Sequence, residues 1–402
     1  MRPSPIIIEK RSAITGVVVG ALYGIAVRLV FGARLPLLEQ VFGVMTLGFV
    51  FIVPIVLGAI TVHALALERK QKIAPAILLP WTSVSLSLAA MLVLKIEGLI
   101  CVIMALPILL ILSSIGGLLM RWYDLARARR NGTDRNQANL LLLLLPFLLT
   151  PAEKQIRPHD QLRMVTTSIV IDRSPEAVWP QISDVPIIRD AERPRRLSAF
   201  IGIPDPLEAR LLQKRVGGIR FARFAGGIKF EETVTRFRPP YALAFTIHAN
   251  TSQIPSSTLD EHVLVGGPYF DVLSGGFELQ PIDRGHTRLV LRSVHRLSTH
   301  FNAYAGFWTD WVMRDVQTSL LQIIKARCER TGNMLSLSRT VVGYGTVARL
   351  SAFAHAPGRQ SPSGFAPSNP AVRSSSLTPL RSFTLRRGRI HAFGARSSAR
   401  SM

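Results

Sequence analysis

Glu232, His295 and Tyr304 are the side chains of the C-terminal half whose types could do chemistry. In the stretch "IKFEETVTRFR" (228–238), strand alternation puts Phe230, Glu232, Val234 and Arg236 on one face, against Glu231, Thr233, Thr235 and Phe237. In "YALAFTIHA" (241–249), Leu243, Phe245 and Ile247 oppose Ala244, Thr246 and His248. In "HTRLVLRSVHRL" (286–297), Leu289, Leu291, Ser293 and His295 oppose Val290, Arg292, Val294 and Arg296. A glutamate and a histidine facing one hollow can act as acid and base if both reach the same substrate proton. Alternatively Glu232, His295 and Tyr304 only orient a ligand, within a wall formed by Phe245, Ile247, Leu291, Ser293 and Trp308. The plainer reading pairs Glu232 with an arginine such as Arg220 on a neighbouring strand and leaves His295 at a wet strand end. It carries the greater weight, because no spacing places two catalytic groups together. No residue is therefore assigned a catalytic role, and neither cofactor nor metal is called for. The glycines of "GGIKF" and "VGG" are expected in turns or bulges, since no strand-loop-helix context makes them a phosphate loop.

These side chains need elements to position them. After Pro158 apolar residues alternate and Gly-Pro punctuation appears. The order reads strand "VTTSIVI" (165–171), then a helical segment over 172–184 with Ser174 as N-cap and Pro175 at its first position. The strands "RFARFA", "IKFEETVTRFR", "YALAFTIHA", "YFDVLSGGFELQPI" and "HTRLVLRSVHRL" follow. A long helix over 301–330 closes the region, with Tyr304, Trp308, Trp311, Leu320 and Ile324 at roughly helical spacing. This order implies an α+β fold: an antiparallel sheet curved against one helix, with an apolar pocket wherever small residues leave space. The stretch "IVIDRSPEAVWPQISD" resembles the opening strand and helix of the START-like superfamily, also called SRPBCC or polyketide-cyclase-like. "FEETVTRFRPPYALAFTI" is similar to its central hairpin, and "GHTRLVLRSV" with the helix ending "IIKARCER" resembles its close. The resemblance covers about residues 163–330. It implies a helix-grip fold with a deep cavity for hydrophobic ligands.

The N-terminal half, residues 1–150, reads as an α-helical transmembrane anchor. Runs near 13–33, 41–64, 76–94 and 98–120 are long enough to cross hydrocarbon about 30 Å thick, which takes roughly 20 helical residues. The first has no evident cleavage site and reads as an uncleaved span. Basic residues gather on one side: Arg2, Lys10 and Arg11, then Arg69, Lys70 and Lys72, then Arg121, Arg127, Arg129, Arg130 and Arg135. The other side has little beyond Arg34 and Lys95, which makes the N-terminus cytoplasmic. A fifth segment, 136–150, is short. Its run from Leu140 to Thr150 would cover about 17 Å as a helix and contains Pro146, which by itself favours a re-entrant or interfacial piece. The stretch "IEGLICVIMALP" followed by "SSIGG" resembles the anchor of bacterial membrane-bound members of the same superfamily, in which a short fifth apolar segment occurs. That tips the reading to five crossings, an inner-membrane protein with residues 163–330 on the periplasmic face. Gly16, Gly20 and Gly24 share one helical face, which suits either packing within the bundle or a homodimer seam. Arg28 is expected to snorkel outward, although a buried functional charge is the alternative. Lys95 and Glu97 are expected in a tight interfacial turn, and Pro54 and Pro107 at kinks.

The 402 residues carry a formal net charge of +23, a balance that raises the question of nucleic acid. From Thr331 onward, however, there is no Asp, Glu or Lys, while ten arginines occur. No zinc-finger, helix-turn-helix or aromatic-basic motif accompanies them, so nucleic acid is not the expected partner. Residues 331–402 are expected as a disordered basic tail, too poor in apolar residues to offset ordering entropy. The two cysteines, Cys101 and Cys328, are expected to stay unpaired. The expected activity is the binding of a lipid or other hydrophobic small molecule at the membrane. A cyclase or dehydratase acting on a membrane-derived substrate, and an interaction module with a self-filled cavity, stand as alternatives.

Overall fold

The computed structural model describes residues 5–33, 35–129, 137–249 and 264–351. By its contacts the chain divides into residues 1–342 and residues 343–402. In the second part only helical backbone to Ser351 is described, and the rest of the expected basic tail lies outside the described residues.

The N-terminal half is helical: α1 (Pro5–Phe31), α2 (Pro36–Val41), a π-helical turn (Gly48–Ile52) leading into α3 (Val53–His63), α4 (Leu67–Lys70), α5 (Ala74–Val93), α6 (Leu99–Arg129) and α7 (Gln137–Glu153). Among the described residues three stretches are long and apolar enough to cross a membrane: Glu9–Phe31, Ala74–Val93 and Leu99–Arg129. The run expected as a second span over 41–64 differs. Its helix extends only from Gly48 to His63, about 24 Å at the rise of an α-helix. Pro54 lies within this helix, directly after the π-helical turn and at the start of the regular α3. Pro107 lies inside α6, which continues as one helix.

This bundle is apolar outside, and inside it apolar side chains such as Phe31, Val56 and Val62 are joined by small and hydroxyl-bearing residues at the helix contacts. The outward faces carry Ile14, Leu22 and Leu29 on α1, Leu78 and Leu86 on α5, and Ile111, Ile115 and Leu119 on α6. Inside, the Thr61 and Ser83 hydroxyls meet at 2.9 Å, and Ser87 Oγ donates to the Ala21 carbonyl at 3.1 Å. Small residues and hydroxyls at helix contacts suit a lipid surround, where close approach replaces the hydrophobic drive. Gly16, Gly20 and Gly24 are such contacts. A Cβ on Gly16 would stand 2.4 Å from the Thr61 carbonyl oxygen, and one on Gly20 would stand 2.3 Å from Thr61 Oγ1. That face is taken up by contacts within the chain. Gly58 and Gly116 bring α3 and α6 closest, for their Cβ positions lie 1.9 Å from the Ser113 oxygen and 1.8 Å from the Ile55 oxygen.

Arg28 does not snorkel. It is 6% exposed, its Nε donates to Glu97 and its Nη2 donates to the Ile96 carbonyl at 3.3 Å. The turn holding Glu97 is tight, as expected, with Lys95 in the left-handed region at φ 56°. Helix α7 runs in the same direction as α1. Tyr23 Oη donates to the Leu143 carbonyl at 3.1 Å, and further along both helices Phe31 meets Phe147 edge-on at 5.4 Å. At its end Glu153 accepts the N–H groups of Leu47 and Gly48 at 2.5 and 3.0 Å.

The C-terminal half builds one antiparallel sheet from β1 (Gln161–Ile171), β2 (Pro206–Leu211), β3 (Ile219–Phe224), β4 (Lys229–Arg238), β5 (Ala242–Ala249), β6 (Phe270–Pro281) and β7 (Thr287–Leu297). Its order is β1-β7-β6-β5-β4-β3-β2. Helices α8 (Pro175–Ser183) and α9 (Leu197–Phe200) lie between β1 and β2, and α10 (Asn302–Ser351) follows β7. Ser174 precedes α8 and Pro175 opens it, as expected. Ile171, Val178, Ile182, Leu243, Phe277, Leu289, Leu321 and Ile324 form the core between sheet and helices. A sheet curled round a long C-terminal helix is the helix grip.

Two details depart from the expected strands. The edge strand β2 was not expected, and the expected alternation of β4 reverses midway. A register shift between Val234 and Arg236 inserts an extra residue. Beyond this bulge Phe237 turns inward and meets Trp179 at 5.6 Å, while Arg236 is exposed.

The sheet domain rests on one end of the helical bundle, the end shared by the start of α6, the start of α3 and the close of α7. Tyr304 Oη donates to the Met104 carbonyl, Phe301 lies edge-on to Phe51 at 6.1 Å, and His300 Nε2 is 3.8 Å from Glu153.

Candidate ligand-binding cavity

Between the concave face of β2–β7 and the middle of α10 lies a cavity of about 220 Å³. Small residues make the room. A Cβ on Gly275 would stand 2.8 Å from the Phe245 ring, so the glycine lets that ring lie flat against β6. Ala209 and Ala222 do the same for the far wall. From α10 come Val312, Met313, Val316, Gln317 and Leu320, one stripe at helical spacing.

Very few polar groups face this space. Strand pairing sets Arg220 of β3 directly opposite Glu232 of β4, and Arg220 Nη1 donates to Glu232 Oε2. Both are buried, at 3% and 4% exposure. The guanidinium also lies 5.0 Å from the centre of the Phe245 ring, close enough for a cation–π contact. Burial pushes the Glu232 carboxyl up, against the pull of Arg220. Arg220 Nε has no partner among the described residues. On the opposite wall Gln317 Nε2 donates to Ser293 Oγ at 2.9 Å and to the Val165 carbonyl at 3.3 Å. Gln317 Oε1 accepts from the Thr167 hydroxyl at 2.7 Å, which fixes the amide's orientation. The lining is thus mostly apolar, with the Arg220–Glu232 ion pair, the oriented amide–hydroxyl pair and Glu208, whose carboxylate is paired with Arg223 at 2.6 Å. Such a surface can hold an apolar body and fix a few hydrogen-bonding groups on it.

Five of the expected residues line this cavity: Glu232, Phe245, Ile247, Leu291 and Ser293. Three do not. His295 follows the expected alternation but lies beyond the cavity, behind Phe270, whose ring is 5.4 Å from its own. It is also not at a wet strand end, since its exposure is 0%. Its Nε2 stands 3.3 Å from Thr309 Oγ1 and 3.6 Å from Asp310 Oδ1. Burial pushes this imidazole's pKa down, while the Arg163 guanidinium holds the Asp310 carboxyl below its usual range. Tyr304 reaches the anchor instead, and Trp308 packs edge-on against Phe307 and Trp311 at 5.6 and 6.1 Å. The first turns of α10 meet the helical bundle through Phe301 and Tyr304 and the sheet through Thr309 and Asp310, and only from Val312 onward do its side chains line the cavity.

Glu232 and His295 are not assembled as an acid–base pair. They stand on β4 and β7, three strand spacings apart, or about 14 Å along the sheet. Each is also engaged by other groups. Sequence reasoning missed Gln317, one of two glutamines in the stretch "VMRDVQTSLLQII", where nothing local separates it from Gln322. It named Arg220 only as a structural partner.

No family model and no curated protein matches the chain. Among solved structures it is similar to the ZhuI aromatase/cyclase from Streptomyces sp. R1128, at 14% identity and a TM-score of 0.27, over 42% of this chain and 95% of that one. It is also similar to a START superfamily protein from Mycobacterium smegmatis, at 11% identity and a TM-score of 0.28, over 42% and 98%. A conserved protein from Geobacillus kaustophilus matches at 15% identity and a TM-score of 0.28, over 42% and 97%.

Proposed function

We propose that this chain is a multi-pass protein of a bacterial inner membrane whose START-like domain binds a lipid or other hydrophobic small molecule. The observation that carries this reading is the apolar cavity closed by α10, with the buried Arg220–Glu232 pair and the Ser293–Gln317 pair as its polar marks. An apolar ligand leaves water for that lining, and the two polar pairs give its oxygen or nitrogen atoms fixed partners. The anchor holds the cavity beside the source of such molecules and raises their effective concentration.

The domain's position on the anchor supports the periplasmic face. With the N-terminus in the cytoplasm, the start of α6 and the start of α3 lie at the far side of the membrane. The domain packs on that end, and α7 ends there, running parallel to α1. Protease added outside intact spheroplasts is expected to degrade residues 163–330, and protection of that region sinks this orientation.

The binding test is organic extraction of the purified full chain followed by mass spectrometry. A reproducible apolar molecule is expected from the wild type and is expected to be lost from Val316→Trp, which fills the cavity. Equal recovery from both would remove the cavity from the explanation. The enzyme reading draws on Glu232 alone, whose carboxyl is pushed up by burial as a general acid requires. It gains only if Glu232→Gln keeps the ligand and abolishes its conversion.

A further inference from the structure

A second hollow, of about 180 Å³, lies in the anchor at the end on which the domain rests. Its floor and sides come from α1, α3, α5 and α6, and Phe301, Tyr304 and Ala305 of α10 close it on the domain side. The Tyr304 hydroxyl is spent on the Met104 carbonyl, so the chemistry at this hollow is that of Arg28 and Glu97. Their ion pair is buried among apolar walls, the side chains 8% and 10% exposed. Burying such a pair, where the last turn of α1 meets the turn between α5 and α6, costs desolvation that packing alone does not require.

We propose that this hollow is a second ligand site, for a single-chain membrane amphiphile whose head group is uncharged and both donates and accepts hydrogen bonds, as in a monoacylglycerol. The head-group preference comes from the ion pair. Arg28 and Glu97 neutralise each other, so an anionic or cationic head would leave one charge unbalanced in a dry site. A hydroxyl, in contrast, donates to the carboxylate and accepts from the guanidinium without disturbing their balance. The chain preference comes from the walls. Met45, Met91 and Met104 line the hollow, and their unbranched side chains adapt to a flexible chain. Helix α10 joins the two cavities: Ala305 closes the anchor hollow, and Val312, about 10 Å further along the helix, enters the domain cavity. This inference rests on the membrane anchoring proposed above but not on occupancy of the domain cavity.

The test uses the full chain in phosphatidylcholine nanodiscs with a monoacylglycerol whose 16-carbon chain carries a mid-chain diazirine. Irradiation, digestion and mass spectrometry then locate the adducts. Saturable labelling is expected on peptides bearing Met91, Met104 and Ile108, competed by unlabelled monopalmitoylglycerol. Ala105→Phe, which fills the hollow, is expected to lower it about tenfold. Leu88→Trp, from the opposite wall, gives the same readout should the first variant fail to elute as a folded species. Glu97→Gln keeps the side chain's shape but frees the positive charge of Arg28. Competition is then expected to shift about tenfold in favour of palmitate, the factor that goes with one charge-assisted hydrogen bond. Labelling confined to outward residues such as Ile111 and Leu119, or equal in wild type and filled variants, overturns the proposal. So does an unchanged head-group preference in Glu97→Gln. Adducts around Val316 in the same digests report the domain cavity separately: label there and none at the hollow overturns the second site alone. Label at the hollow and none at Val316 upholds it and leaves the domain reading to the extraction test above.

Discussion

Replacing Glu232 by alanine removes one half of an ion pair and strands the other. Arg220 is 3% exposed, and its Nε lacks a partner among the described residues even with Glu232 in place. The Phe245 face at 5.0 Å offers a cation–π contact of about 0.5–2 kcal/mol, too little to hold a desolvated guanidinium. Breaking a buried pair typically costs about 3–5 kcal/mol. Water entering the cavity beside the guanidinium relieves part of this, which sets the expectation at the lower end, about 3 kcal/mol. Replacing both partners, as in Arg220→Met with Glu232→Leu, leaves no stranded charge, and such exchanges are about neutral or stabilising. For a region of this size each kcal/mol shifts the melting temperature by roughly 2–4 °C. Glu232→Ala is therefore expected to melt about 6–12 °C below wild type, and the double variant near wild type. The assay is thermal unfolding of the full chain in detergent, followed by tryptophan fluorescence, to which Trp179, Trp308 and Trp311 contribute from the domain. If the double variant melts as low as the single one, the stranded charge is not what the loss of Glu232 costs, and the reasoning fails.

Two further expectations concern packing and pH. Gly58→Ala and Gly116→Ala each drive a methyl group into a facing backbone carbonyl, so each is expected to destabilise the anchor by about 1–3 kcal/mol, seen as earlier melting and lower yield in detergent. Wild-type behaviour of both would mean that α3 and α6 are not in such close contact. Glu192 is held down to about 2, chiefly by its hydrogen bond from Arg327. A carboxyl depressed on folding contributes stability that is full above its unfolded value and lost as pH falls through the folded one. Arg327→Met is thus expected to remove roughly 2 kcal/mol at neutral pH and to flatten the loss of stability between about pH 4.5 and pH 2. An unchanged acid limb in denaturation measured from pH 7 to pH 2 would refute that assignment.

The domain fold was legible in the sequence because its signals are local. Period-two alternation in β4, β5 and β7, and Ser174–Pro175 ahead of α8, are set by neighbours within a few residues. The same alternation carried Phe245, Ile247, Leu291 and Ser293 to the cavity wall. It failed in β4 past Val234, because one extra residue reverses every later side chain and leaves no compositional mark. It failed again for Tyr304 and Trp308, because helical spacing names a face but not the body that covers it. Two partners share the first turns of α10: Phe301 and Tyr304 meet the helical bundle, while Thr309 and Asp310 already meet β7 and β1. The anchor divides in the same way. Hydropathy and the placement of Lys and Arg marked out apolar segments and an expected orientation. Only tertiary contacts showed α7 running parallel to α1, the three glycines spent inside the bundle, and Arg28 turned inward to Glu97 rather than outward to water. A snorkelling arginine and a buried, paired one have the same sequence. What separates them is whether a carboxylate far along the chain arrives within hydrogen-bonding distance, and that is decided by the packing of whole helices.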